Sequence, residues 1–182
     1  MIVYRNTDVD VPFFWESDGQ PAARWHGEGE GPVQYASSNP SAAWAEFLRH
    51  AGITDPADLA GVERAIWVIE IPDDEPTGSP ALPIGTLTGD ERSYRACQAE
   101  ARRLRDGGST RLIAPSAAVL LGTPSGWRTD GELQRGPPAD QYTIVLFGKR
   151  PDVTGWIASA PGRPEPEIVE RVRFLSSEHR AG

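Results

Sequence analysis

The sequence predicts an α+β protein, a single domain over residues 1–182 in which short strands alternate with two amphipathic helices. Three observations point there. Short apolar runs rich in β-branched residues recur between turn signals, most strongly at 142–147 (YTIVLF) and 66–71. Two stretches, from about 40 to 50 and from about 88 to 107, carry apolar residues at helical spacing with start and stop signals at their ends. Seventeen prolines and nineteen glycines break the remainder into loops, which argues against a helical bundle.

A chain of 182 residues can bury a core without disulfide or metal staples. With 18 basic against 26 acidic residues the net charge is −8, which argues against general nucleic-acid binding through phosphate neutralisation. The lone cysteine, Cys97, excludes an intramolecular disulfide framework and fits a reducing compartment. No stretch approaches the roughly 20 apolar residues of a membrane span. The opening MIVYRNTDVD lacks the basic-then-apolar order of a signal peptide. The expectation is a soluble, cytoplasmic protein with neither nucleic acid nor membrane as a direct partner.

Taken in order, residues 2–5 read as a short strand ending in Arg5, by the residues alone a surface arginine on an edge strand. Residues 7–20 are irregular, and the adjacent Phe13, Phe14 and Trp15 plug the end of a core. A dense polar stretch follows, in which Arg24, Tyr35 and Glu46 succeed one another at intervals of eleven residues. Polar groups gathered around a strand–turn–helix junction point to a ligand, because binding residues collect on loops held by a rigid scaffold. An arginine fork can grip a pyrophosphate through paired hydrogen bonds; the competing reading of Arg24 is a salt bridge to Glu28 or Glu30. His26 reads as a half-exposed loop histidine. The GEGEG run at 27–31 lacks the lysine and Ser/Thr of a phosphate-cradling loop, so it reads as a flexible hairpin connection.

Residues 33–37 form a strand carrying Tyr35. Asn39 then caps a helix over 40–50, Pro40 suits its first position, and Gly52 stops it. Trp44, Phe47, Leu48 and Ala51 share its core face. Glu46 lies roughly 200° from Trp44 at about 100° per residue, so periodicity alone leaves it solvated. It becomes functional if its own face, lined by Ala42 and Ala45, borders a cleft. His50 is a helix-end residue.

Residues 63–71 make a strand buried on both sides, and 72–83, with four prolines and three acids, make a loop. Thr88 and Glu91 spell a capping box for a second helix that ends near Gly107 and Gly108. Tyr94, Cys97, Ala101 and Leu104 form its inward face, which makes Cys97 a buried small hydrophobe. Arginines 92, 95, 102, 103 and 105 form a solvated basic patch or one that faces an acidic protein. Residues 110–114 are a strand leading to Ser116, by the residues alone a turn serine capping its own backbone. Nothing spells the GxSxG of a nucleophile elbow. Residues 122–140 are turn-rich, 142–147 form a central strand, and a last strand spans 168–175 before a fraying tail, SSEHRAG. The three histidines, 26, 50 and 179, lack metal-ligand spacing, so no metal is expected. No GxGxxG opens a helix after a strand.

Arg24-Trp25-His26, then Val33-Gln34-Tyr35-Ala36-Ser37, Ala42-Ala43-Trp44-Ala45-Glu46 and Leu112-Ile113-Ala114-Pro115-Ser116-Ala117 resemble, in order and spacing, the RES domain, a family of bacterial toxins that act on NAD. The resemblance runs over nearly the whole chain. It implies a central mixed sheet flanked by helices, similar to ADP-ribosyltransferases, with NAD bound in a cleft. It implies cleavage of the nicotinamide–ribose bond by phosphorolysis or hydrolysis, with NAD as substrate and inorganic phosphate as a candidate co-substrate. Glu46, Arg24 and Tyr35 would then be catalytic, and Arg5, Arg24, Tyr35, Ser37 and Ser116 would bind NAD. An antitoxin of the Xre type is the partner the resemblance implies; a homo-oligomer is left open. Asn6 departs from the family, which places an aromatic there, as do His26 and Gln141, which stand where asparagines are common. Two rivals follow: transfer of ADP-ribose to a protein, and a non-catalytic interaction domain, which Asn6 and His26 favour.

Overall fold

The computed structural model describes residues 1–175, and the expected fraying tail lies outside them. Seven strands make one sheet: β1 (Ile2–Thr7), β2 (Val33–Ser37), β3 (Arg64–Glu70), β4 (Thr77–Gly78), β5 (Arg111–Pro115), β8 (Tyr142–Phe147) and β9 (Thr154–Gly162). Their order is β4-β5-β8-β2-β1-β3-β9. Only β4 and β5 run parallel, so the sheet is mixed, as expected. β6 (Trp127–Asp130) and β7 (Glu132–Arg135) form a separate ribbon. The helices are α1 (Pro40–Ala51), the single turn α2 (Ile84–Leu87) and α3 (Tyr94–Asp106).

The α1 boundaries follow from their caps. Asn39 Oδ1 accepts from Ala42 N at 2.9 Å, and Gly52 takes the left-handed conformation (φ 66°) that glycine enters without a Cβ clash. Paired residues of an antiparallel ladder project to one side. Tyr4 therefore shares a sheet face with Ser37, Tyr35 with Val145, and Ser37 with Thr143. α1 covers one half of that face, packing Ala42, Ala45 and Leu48 with Ile66 and Val169. α3 covers the other half, where Cys97, Ala101 and Leu104 meet Val33, Leu112 and Val145. On the opposite face Phe14, with Phe13 beside it, closes over Val3, Ala36, Ile69 and Leu146, whereas Trp15, expected in the same plug, is exposed.

Between the two halves the sheet is split. β1 pairs with β3 at six positions and β2 with β8 at five, but β1 and β2 meet only at Tyr4 and Ser37. Beyond that point Gln20 stands in for the missing strand: Val33 N donates to its Oε1 at 2.6 Å, and its Nε2 donates to Val33 O at 2.8 Å. The backbone N–H and C=O of Val33, which the split would strand, are thereby satisfied.

Several expectations are corrected. Residues 168–175 are no strand; a 3-10 turn over Pro166–Arg171 buries the neighbours Ile168 and Val169 together, which an alternating strand could not do. β9 escaped notice because Gly155, Pro161 and Gly162 read as turn residues; a sheet edge tolerates proline, which has no ladder donor to lose there. The Thr88/Glu91 capping box does not form. Thr88 instead ends α2, donating its hydroxyl to Ile84 O at 2.9 Å, and Asp90 starts a 3-10 turn by accepting from Arg92 N at 3.1 Å. The loops at 72–83 and 122–140 contain β4 and the β6–β7 ribbon. Ala51 is exposed, whereas Ala42, Ala43 and Ala45 are buried, so the buried arc of α1 is wider than its apolar stripe. No helix among the described residues is long and apolar enough to cross a membrane.

Candidate functional site

The split opens a cleft of about 340 Å³, at the lower end of the usual size of small-molecule sites. Arg5, Arg24, Tyr35, Ser37 and Glu46 all line it, together with Asn6, Arg49, Arg64, Tyr94 and Thr143. Strand alternation puts Arg5 on the face opposite Tyr4 and Asn6, yet the parting of β1 from β2 lets it reach the same hollow.

Glu46 is the carboxylate of this cleft, its side chain 25% exposed. Ser116 Oγ and Thr143 Oγ1 each donate to its Oε1 at 3.1 Å. Its Oε2 lies 3.8 Å from His50 Nε2, one helical turn on. Ser116 is buried, and its oxygen also accepts from Ala118 N at 3.2 Å. It is thus both a turn serine and a part of the site, standing behind Glu46 rather than on the cleft wall.

Tyr35 presents its ring to the cleft and its hydroxyl to the loop before it. Trp25 N donates to that oxygen at 3.0 Å, and His26 Nδ1 lies 2.9 Å away. His26 Nε2 sits 2.9 Å from Pro21 O, a pure acceptor, so Nε2 carries the proton and Nδ1 accepts from the Tyr35 hydroxyl. Burial pushes the Tyr35 phenol up and the His26 imidazole down, so both are neutral at physiological pH. His26 is fully buried, not half-exposed as its loop position suggested. Gln98 Nε2 clamps the same loop, donating to Ala23 O and His26 O.

That clamp fixes Arg24, which is buried and stacked over the Tyr94 ring at 4.7 Å. Neither Glu28 nor Glu30 pairs with it. Arg24 Nη1 donates to Ser93 Oγ at 2.9 Å and Nη2 to Gly89 O at 2.6 Å. Glu30 pairs instead with Arg102 at 2.8 Å and accepts from Gly27 N at 2.6 Å, which pins the glycine-rich loop. Arg49, three residues past Glu46, is also buried; it donates to Ala117 O, to Arg173 O at 2.7 Å and to the same Gly89 O at 2.9 Å. Two guanidinium groups thus converge on one carbonyl. Arg5 Nη1 and Asn6 Nδ2 are buried donors without a partner among the described residues. Burial lowers the Arg5 guanidinium to about 10, which leaves it charged at neutral pH.

The electrostatic result is lopsided. Among the described residues Arg5, Arg24 and Arg49 make no salt bridge, although Arg49 feels the charge of Glu46, while Arg64 is bound to Asp8 and to Asn6 Oδ1. A chain of net charge −8 has gathered uncompensated positive charge around a single carboxylate. Such a cleft favours a ligand that carries anionic groups and also offers something to a carboxylate. Arg92, just before α3, and Arg102 and Arg103 within it pair with Asp90, Glu30 and Glu100, and Arg105 stacks over Phe147. Cys97 is fully buried and its thiol is pushed up by burial. No group of three or more His, Cys, Asp or Glu among the described residues is placed to hold a metal ion.

Arg49, Tyr94 and Thr143 are cleft residues that sequence reasoning missed. Arg49 could have been found from its i,i+3 spacing to Glu46. Nothing in the sequence marks Thr143, which is set by strand register.

A family model described as the RES domain matches residues 4–164. None of the curated proteins matches the chain. Among solved structures, a chain of the M. tuberculosis MbcT-MbcA toxin-antitoxin complex is similar with a TM-score of 0.60, over 93% of this chain and 86% of that one, at 15% sequence identity. At that identity the likeness is one of fold.

Proposed function

The chain belongs to the RES domain family, and from that premise we propose that it is an NAD-cleaving enzyme and the toxin of a toxin–antitoxin pair. The observation that carries the reading is the pairing of one fixed carboxylate with arginines that have no counter-ion, in a hollow between the halves of a split sheet. NAD matches both features. Its pyrophosphate is anionic, and its nicotinamide–ribose bond breaks with positive charge developing on the sugar, as in glycoside cleavage.

In this reading Glu46 Oε2 faces the ribose while Oε1 is held by Ser116 and Thr143. A carboxylate fixed before the reaction stabilises the cation without reorganising, commonly a large catalytic contribution. Arg5, with its unpartnered Nη1, takes the pyrophosphate, and the charge of Arg24 supports it from the clamped loop. Tyr35, whose hydroxyl is engaged, offers its ring for stacking, and Ser37 lines the floor. The orphaned donors on Arg5 and Asn6 speak for a ligand site over a bare scaffold.

The fold likeness to a chain of a toxin–antitoxin complex supports a protein partner that restrains the activity, expected to be an antitoxin of the Xre type. Calorimetric titration with NAD tests binding, and a scaffold domain would give no heat. Mass analysis of products with and without inorganic phosphate separates phosphorolysis from hydrolysis. Label from NAD on a polypeptide in cell lysate would mark the protein ADP-ribosyl transfer reading.

A further inference from the structure

We infer that Tyr94 is the phenol that hydrogen-bonds the nicotinamide ribose, a role that rests on the NAD reading above and that the inward face of α3 had concealed. The cleft has two tyrosines whose surroundings differ sharply. Tyr35 has its hydroxyl proton on His26 Nδ1 and a lone pair on Trp25 N, so it has little left for a substrate. Tyr94 lines the same cleft, is half-buried, and its hydroxyl has no hydrogen-bond partner among the described residues. Its ring is nonetheless held: it begins α3, and Arg24 stacks on it at 4.7 Å. A rigid ring with an unengaged hydroxyl is a preorganised hydrogen-bond donor.

Arg24, Arg49 and Glu46 line the cleft together with Tyr94. Burial is what chiefly raises the Tyr94 phenol; the charges of Arg24 and Arg49 oppose the rise, and those of Glu91 and Glu46 add to it. The phenol therefore keeps its proton at neutral pH. Tyr94 and Glu46 line the same cleft. A ribose hydroxyl between them would donate to Glu46 Oε2 and accept from Tyr94, satisfying three polar groups at once. The sugar is then gripped on both sides, and the carboxylate is kept off the phosphate-binding end.

The test is a cycle of two enzymes and three substrates. Tyr94→Phe removes one oxygen and keeps the ring on which Arg24 rests. kcat/KM is measured for wild type and Tyr94→Phe on NAD and on analogues lacking the 2′- or the 3′-hydroxyl of the nicotinamide ribose, with thermal unfolding recorded for both proteins. The expected result is an unchanged unfolding midpoint and a loss of roughly three- to tenfold on NAD, the size of one neutral hydrogen bond. On one deoxy analogue that loss disappears. A Tyr94→Phe enzyme as active on NAD as wild type would overturn the role of Tyr94 and leave NAD cleavage standing. An equal loss on all three substrates would overturn the ribose contact. A wild-type protein that leaves NAD intact would overturn the NAD reading and this inference with it.

Discussion

Ser116 donates its hydroxyl to Glu46 Oε1 at 3.1 Å, across 70 residues of sequence, and so aims the carboxylate instead of facing the cleft. Thr143 does the same from β8 at an equal distance. Both hydroxyls fall on one oxygen, so Oε2 takes neither of these bonds.

If these hydroxyls position Glu46, Ser116→Ala and Thr143→Val each lower kcat on NAD by roughly three- to tenfold, one hydrogen bond's worth, with little change in KM. Initial rates of nicotinamide release check this. A rise in KM with kcat unchanged would place the hydroxyls on substrate.

His26 should make stability depend on pH in a specified direction. Burial holds its folded pKa below the ordinary value of about 6.5. The unfolded chain therefore takes up a proton that the folded chain resists. The stability this contributes is complete above about pH 6.5 and is lost as pH falls from there toward the folded value. Denaturant midpoints between about pH 8 and 5 should fall in wild type, and fall less steeply in His26→Gln.

Arg49 is predicted to be structural as well as electrostatic. It donates to the carbonyls of Ala117, Arg173 and Gly89, and so ties α1 to three other segments. Arg49→Met strands those acceptors and should cost about 2–4 kcal/mol by urea denaturation, in line with the loss of charge-assisted bonds in a buried setting.

Arg5 should behave in the opposite way. Its Nη1 is buried without a partner, so Arg5→Met removes an unsatisfied group and should shift stability by less than about 1 kcal/mol. Calorimetry should nevertheless show NAD binding weakened roughly tenfold or more, the loss of one charge-assisted contact.

The features legible in the sequence are those with local causes. Asn39, Pro40 and Gly52 frame α1 through cap chemistry that acts within a few residues. The apolar run of β8 marks the strand that sits inside the sheet between β5 and β2. The family pattern led to Arg24, Tyr35 and Glu46, and the structure brings all three to one cleft, although helical periodicity by itself left Glu46 in solvent. What stayed hidden has long-range causes. The split between β1 and β2 depends on Gln20 replacing a strand partner. The burial of His26 depends on Tyr35 and Pro21, and β9 is held as a strand by its ladder to β3 despite turn-like residues. Tyr94 obeys helical spacing yet ends at the cleft because it lies at the start of α3, where the packed face runs out.

The central claim is tested most directly by following nicotinamide released from NAD by wild type and by Glu46→Gln, with unfolding midpoints measured on both. The account predicts release by wild type, a loss of at least about 100-fold in Glu46→Gln, and matching midpoints. Equal release by the two proteins, or none by wild type freed of any partner, would contradict it.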